Sequence, residues 1–284
     1  FCMEIIRLAT RGSPLALAQA NMAAAFLGAK LPGVIFEIVE IKTTGDKRLD
    51  WSLEKFGGKG LFTKEIEEAL ISGEADIAVH SAKDLPTQSP DGLSIAGCLP
   101  RDACADILVV RDNIAVPSFI ATGSPRRREQ QKKIFPQAVW GELRGNVHTR
   151  LKKLVSGEAD ATVLSAAGLS RLGIEKYDGV KFTELKLDVC VPAVAQGIIA
   201  LQCRCSEAGA YSALTDSKTN EVFAVEREFL TALGGGCQSA YAANYDGETF
   251  RFFHELTGIQ RVKLEGDLQS KLSVVRELAS GISR

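Results

Sequence analysis

The sequence is poor in histidine, with three in 284 residues, at positions 80, 148 and 254. They stand far apart, and none has a Cys or His neighbour at zinc-ligand spacing, so no metal site is expected. The seven cysteines include no CxxC pair and are odd in number and widely spread. That pattern argues against a disulfide framework and for a reducing compartment. No apolar run reaches the roughly 18 residues of a membrane span, and the beginning of the chain has no charged segment leading into an apolar core, so neither a span nor a secretory signal is expected. A formal net charge of −1 removes the global basic field that draws proteins to nucleic acid or anionic membranes. Any anion binding must therefore be local. The segment GGKG lacks GxxxxGK[ST] spacing, which excludes a Walker-type phosphate loop, and nothing resembles a Ser/His/Asp set.

What the chain does contain is an echo of itself. Residues 72–85 read SGEADIAVHSAKDL and residues 156–169 read SGEADATVLSAAGL, identical at nine of fourteen positions. In each copy Gly ends a helix-like segment, Asp opens a short apolar strand and Ser opens the next turn, the grammar of an α/β unit. Lys83 and Asp84 of the first copy face Ala167 and Gly168 of the second. The shared residues suffice as scaffold, so the charged pair is where chemistry is expected. The strand DIAVH delivers Ser81, Lys83 and Asp84 at its C-terminal end, where open α/β sheets bind ligands.

The first segment reads as strand, turn, helix: an apolar run to Thr10, then Arg11, Gly12, Ser13 and Pro14, then LALAQANMAAAFL at helical spacing. Ser13 is placed as an N-cap with Pro14 at the first helical position, an end that suits an anion beside Arg11. A strand over 34–41 leads into a polar stretch, 43–60, too long for a simple connector and read as a mobile lid, in which Gly57, Gly58 and Gly60 surround Lys59. LPRDACAD marks a crossing into a second domain. There DILVV and FIAT read as strands, and GSPRRR repeats the Ser-Pro cap with Ser124 and Pro125. Arg126, Arg127 and Arg128 crowd that helix start, where cations oppose the helix dipole, so a bound anion is the expected reason for them. Asn146 caps the next helix with Arg144 and Arg150 flanking its start. Tyr177 to Lys186 reads as a loop. VCVPAVAQGIIALQC then gives a turn carrying Gln196 and Gly197 and a strand expected to return to the first domain. From about 216 the pattern changes to helix, GGGCQ, three strands and a helix, a small α+β domain. Cys237 behind Gly234, Gly235 and Gly236 suits covalent use as well as the commoner fate of an inert thiol.

Arg11, Lys59, Lys83, Arg126, Arg127, Arg144 and Arg150 together imply one cationic cleft, opposed by the carboxylate of Asp84 and the thiol of Cys237. A ligand rich in carboxylates or phosphates is expected, with positive charge developing near Asp84 and something held covalently on the thiol.

TRGSPLALAQ, GGKGLFTKEIE, ADIAVHSAKDLPT, LRGNVHTRL, AAGLSRLG, PAVAQG and EREFL with GGGCQ resemble, in order and over about nine tenths of the chain, the porphobilinogen deaminases (hydroxymethylbilane synthases) of tetrapyrrole biosynthesis. The resemblance implies two α/β lobes like type II periplasmic binding proteins, spanning 1–99 with 193–213 and 100–192, and a small α+β domain over 214–284. It implies a dipyrromethane cofactor held by Cys237 through a thioether, and four porphobilinogen units added head to tail with loss of ammonia before water releases hydroxymethylbilane. Asp84 matches the catalytic aspartate, which would also touch the cofactor and stabilise the azafulvenium-like cation. Lys83, Thr122, Ser124, Arg126, Arg127, Arg144 and Gln196 match cofactor-binding positions. Arg11, Ser13, Arg144 and Arg150 match substrate-binding positions, to which Ser81 is added from its place at the strand end, and Lys59 and Phe62 match the lid. Two departures stand out: Gly123 and Pro125 in ATGSPRRR, and Ala105 in RDACAD where the family commonly has Arg. A cytoplasmic monomer without nucleic-acid or membrane partners is expected, a mature plastid form being left open. The competing readings are a non-catalytic anion-binding protein of the same architecture and a thiol-redox protein using Cys237; a covalent mass excess would separate them.

Overall fold

The computed structural model describes residues 5–44, 63–234 and 240–282. The chain divides into two compact units. One takes the described residues up to Asp102 with Ile198–Phe223; the other takes Ala103–Gly197 and the described residues from Ala224 on.

In the first unit β1 (Ile5–Arg11) lies parallel to β2 (Ile35–Ile41) and to β3 (Ile77–Ser81). β10 (Ile199–Arg204) runs antiparallel between β3 and β4 (Leu93–Cys98), giving the order β2-β1-β3-β10-β4. The strand after Gln196 thus joins the first sheet. Alternation along β1 decides the layers. Ile6 and Leu8 pack with Ala20, Ala23 and Leu27 of α1 (Pro14–Gly28), while Ala9 packs with Ile66, Ala69 and Leu70 of α2 (Lys64–Ser72) on the other face. β3 is covered on both faces and its first four residues are buried. Because β1 and β3 are parallel, Arg11 at the end of β1 with the Gly12–Ser13 turn, and Ala82–Asp84 after β3, lie at the same end of the sheet.

The second unit holds two sheets. The larger has the order β7-β6-β8-β5-β9, built from β5 (Asp106–Arg111), β6 (Phe119–Ala121), β7 (Val139–Gly141), β8 (Ala161–Ser165) and β9 (Val180–Leu185). Here β6 is parallel to β7 and β8, and β5 is antiparallel to β8 and β9. Position for position this is the arrangement of the first sheet, so one topology is used twice. β9 falls where the sequence pattern reads as a loop. VKFTEL is an edge strand with only Val180 and Leu185 buried, and an edge strand needs no apolar run because the ladder from Asp106–Arg111 holds it.

The small antiparallel sheet β11 (Tyr241–Tyr245), β12 (Thr249–His254) and β13 (Gly258–Lys263) completes the α+β class. Phe250 and Phe252 of β12 pack on Phe229, with ring centroids 5.6 and 5.2 Å away, a compact apolar centre for a three-stranded sheet. Among the described residues no helix is long and apolar enough to cross a membrane.

Candidate active site

In the first unit that end of the sheet carries a pocket lined by Thr10, Arg11, Ser13, Gln19, Thr63, His80, Ser81 and Asp84 among others, with about 500 Å³ of empty space that runs out into solvent. Each wall has a local cause. Ser13 caps α1, its Oγ accepting the Ala16 N–H at 3.3 Å, and Pro14 occupies the first turn. A Cβ at Gly12 would lie 2.9 Å from a carboxylate oxygen of Glu40, the end of a flexible side chain that can move aside. Ser81 Oγ lies 2.8 Å from Gln19 Nε2 and 3.2 Å from Gln19 Oε1, tying the end of β3 to α1. Beyond Ser81 the chain makes one 3-10 turn, Ala82–Asp84, anchored by the Ala82 N–H on Ile198 O at 3.0 Å. Lys83 is half-buried there and Asp84 is exposed.

His80 is buried, and burial, opposed by a hydrogen bond with Gln202, takes its pKa down to about 4. Gln202 Nε2 donates to Glu67 Oε1 at 3.2 Å, which turns Gln202 Oε1 toward His80 Nε2 at 3.0 Å and makes that nitrogen the protonated one. At neutral pH His80 therefore brings no charge to the pocket, whose lining also holds the acid Asp84 and the base Arg11.

The second unit brings together Arg126, Arg127 and Gln196, all on Asp106. α3 (Pro125–Gln131) is capped as α1 is: Ser124 Oγ accepts the Arg127 N–H at 3.4 Å, and Thr122 Oγ1 accepts the Ser124 N–H at 3.2 Å. The arginine side chains fold inward. Arg126 Nη1 lies 2.7 Å from Asp106 Oδ2 and 2.8 Å from Val191 O. Arg127 donates from Nη2 at 2.7 Å and Nε at 3.1 Å to Asp106 Oδ1, and from Nη1 to Val163 O at 2.8 Å. Gln196 Nε2 donates to Cys104 O at 2.7 Å and to Asp106 Oδ1 at 3.0 Å. The arginine side chains keep 8 and 9% of their surface and Asp106 none. Burial alone would raise the Asp106 carboxyl, but the two guanidiniums outweigh it and hold the group far below the ordinary carboxylate range. The Cys190 thiol beside them is pushed up to about 11, first by burial, so it stays neutral. Two cations thus share the one carboxylate of Asp106 in this cluster.

This cluster accounts for the clash between a triple-arginine run and the helix dipole, since the first two side chains leave the helix end for Asp106. Asp106 was not among the expected site residues; an acid opening the apolar run DILVV was the available signal. Arg144 and Arg150 come together around Gly145: Arg144 pairs with Glu142 at 2.8 Å, and Arg150 Nε donates to Gly145 O at 2.8 Å. Asn146 caps α4 (Val147–Val155), accepting the Thr149 N–H at 2.9 Å. Ala105 is buried, and its carbonyl accepts the Ala166 N–H at 3.0 Å. Lys59, Phe62 and Cys237 lie outside the described residues. Among the described residues, no three His, Cys, Asp or Glu side chains gather as metal ligands.

The described residues thus form α/β units of one repeated sheet topology, the first carrying the exposed Asp84 on its pocket and the second a buried arginine pair on Asp106. The description "Porphobilinogen deaminase, dipyromethane cofactor binding domain" matches residues 6–211. The chain is 43% identical over 249 residues to the porphobilinogen deaminase of Syntrophomonas wolfei, covering 85% of this chain and 80% of that one. It is 40% identical over 288 residues to that of Trichlorobacter lovleyi, covering 96% and 91%. Among solved structures the periplasmic VFT2 domain of Bordetella pertussis BvgS aligns with a TM-score of 0.46 at 19% identity, over 78% of this chain and 92% of that one. The chain belongs to the porphobilinogen deaminase family. It is a transferase that condenses four porphobilinogen units head to tail, with loss of ammonia, on a dipyrromethane cofactor and releases hydroxymethylbilane by hydrolysis.

Proposed function

We propose that Asp84 is the catalytic carboxylate of this condensation. The observation that carries the assignment is its place: exposed, at the end of β3, on a pocket shared with Arg11, Ser13 and Ser81. When the C–N bond of porphobilinogen breaks, ammonia takes the electron pair and the methylene carbon is left cationic through the pyrrole ring. A C–C bond then forms to that carbon, and the attacking pyrrole carbon loses its proton. Asp84 stabilises the positive charge between those two events, and neutral His80 does not compete with it. Arg11, Ser13, Arg144 and Arg150 are the groups to receive the acetates and propionates of the substrate, with Lys59 and Phe62 as further substrate-binding residues.

The residues also fit the cofactor. A group with several carboxylates calls for cations, hydroxyls and amide donors, and the second lobe supplies the arginine pair on Asp106 with Thr122, Ser124 and Gln196 beside it. Lys83, Thr122, Ser124, Arg126, Arg127, Arg144 and Gln196 would hold it noncovalently, Asp84 would face it, and the Cys237 sulfur would hold it through a thioether. When bound, it supplies the nucleophilic pyrrole carbon on which the chain is started. Intact mass under denaturing conditions tests this: the protein made with cofactor supply should carry an excess of one dipyrromethane, and Cys237→Ser none. An unchanged excess in Cys237→Ser would overturn the attachment. Under native conditions the same sample should have the mass of one chain. Work in the cytoplasm fits a cysteine set that is odd in number, widely spread and without a CxxC pair, and is checked by cell fractionation.

A further inference from the structure

Backbone strain marks a place that the site residues alone leave unexplained. Among the described residues Ala195 is the one non-glycine with a positive φ, 60°. The Gln196 N–H donates to Ala193 O at 2.9 Å, so residues 193–196 form a β-turn with Ala195 in its third position. Positive φ there is the signature of a type II turn, and glycine is the residue that takes it without cost. A side chain at this position is unfavourable unless its surroundings hold it.

What holds it is Glu226, on the helix α7 (Ser217–Ala232). Glu226 is fully buried. Its Oε2 accepts the Ala195 N–H at 2.6 Å and its Oε1 accepts the Tyr245 N–H at 2.7 Å, at the end of β11. Two backbone donors on two elements require two acceptor oxygens, which a carboxylate has and an amide lacks. The contact bears directly on the turn type. Types I and II differ by a flip of the central peptide, here Val194–Ala195, and a flip would aim the Val194 carbonyl at the carboxylate where the N–H now points. Glu226 thus selects the strained form. The next residue, Gln196, is the one whose amide reaches Asp106 and through it the arginine pair.

We infer that Glu226 is a positioning residue, which holds the 193–196 turn in its strained form and so keeps the Gln196 amide on Asp106. The inference rests on the reading of Gln196, Arg126 and Arg127 as ligand-holding residues. Its test compares turnover and melting temperature for Glu226→Gln, Ala195→Gly and the double variant, each with cofactor loading checked by intact mass. Glu226→Gln should lose turnover by about tenfold to a hundredfold, the scale of a misplaced site group. Ala195→Gly should stay near the parent, and the double variant should recover most of the loss, because glycine takes positive φ without an external acceptor. Any change at the Tyr245 N–H is common to Glu226→Gln and the double variant, so a merely structural staple gives no rescue. A double variant no more active than Glu226→Gln, or a Glu226→Gln of full activity, would overturn the proposal. Should Glu226→Gln fail to fold, Glu226→Asp, which keeps both acceptors but withdraws them by one methylene, takes its place: rescue by Ala195→Gly supports the proposal, and no rescue or full activity overturns it. Gln196→Ala of undiminished turnover would remove the ligand-holding reading instead; recovery of melting temperature by Ala195→Gly would still report the turn itself.

Discussion

The two copies of the echo, 72–85 and 156–169, follow one path and then part. Gly73 and Gly157 turn the chain at φ 78° and 89°. Asp76 and Asp160 each place their N–H on a neighbouring strand, on Arg7 O and Phe119 O at 2.9 Å. Their carboxylates accept backbone N–H groups in return, from Arg7 at 2.8 Å and from Ser118 and Phe119 at 2.9 and 3.0 Å. The strands that follow have the same length and burial, and Ala82 and Ala166 donate alike at 3.0 Å, to Ile198 O and Ala105 O. Only then do they differ. After Ser165 the chain makes the helix Ala166–Arg171, and Ser165 Oγ caps it on the Gly168 N–H. After Ser81 it makes three residues of 3-10 turn, because Pro86 forces Leu85 to extended backbone and stops any helix. Ser81 is then left to bond Gln19, and Asp84 stands exposed at the tip. The shared residues build a lobe; a proline and two charges give one copy a short turn with an exposed carboxylate in place of a capped helix.

The largest effect expected from this comparison is on turnover. Asp84→Ala should lower it about 10²–10³-fold, the scale of removing one group that meets developing charge, while stability moves by no more than the ~0.5 kcal/mol of an ordinary surface change. Steady-state rates beside thermal melts check both halves. A melt that collapses with the rate would mean that the charged pair is scaffold after all.

The second way to break the comparison uses position 80, where the echo has Leu164. His80 has a folded-state pKa of about 4 against an ordinary 6.5, the result first of burial. Between those values the unfolded chain binds the proton more readily, so stability rises with pH across the window and is lost as pH falls from about 6.5 toward 4. The full loss is about 3 kcal/mol. His80→Leu should flatten that slope whatever its effect on stability at neutral pH, where Gln202 loses a partner. A slope retained in His80→Leu would assign the acid sensitivity to another group.

Much of this organisation was readable from residue order. The repeat, the two Ser-Pro caps, the Asn146 cap and the strand after Gln196 all rest on local rules, and local rules survive folding. β9 was not readable, since VKFTEL takes its conformation from the Asp106–Arg111 strand beside it rather than from its own pattern. The direction of Arg126 and Arg127 was hidden for a related reason. A sequence shows three cations at a helix start, but not that Asp106, 20 residues earlier, lies within 2.7 Å of the first two. Glu226 is the extreme case, because its partners are backbone N–H groups 31 and 19 residues away, which leave no side-chain signature.

The smallest of these effects concerns what the copies share. If Asp76 and Asp160 are the same structural device, each should be dispensable for chemistry and costly to the fold. Asp160→Ala leaves the Ser118 and Phe119 N–H groups and the Arg111 guanidinium without their acceptor, and a loss of about 2 kcal/mol is expected for stranded donors of this kind. Asp76→Ala, which removes the partner of Arg7 and of Arg204, should cost a similar amount. Both carboxyls are held below the ordinary range. For Asp160 the first cause is the Ser118 hydroxyl; for Asp76 burial pushes the other way and the Arg7 hydrogen bonds outweigh it. Their stabilisation is therefore complete above the unfolded pKa of about 4 and is lost as pH falls below it. Denaturant melts at pH 7 should separate each variant from the parent, and melts at about pH 3 should bring them closer together. A variant whose deficit persists undiminished in acid would show that the side chain acts by packing, and the two copies would then share a shape rather than a charge.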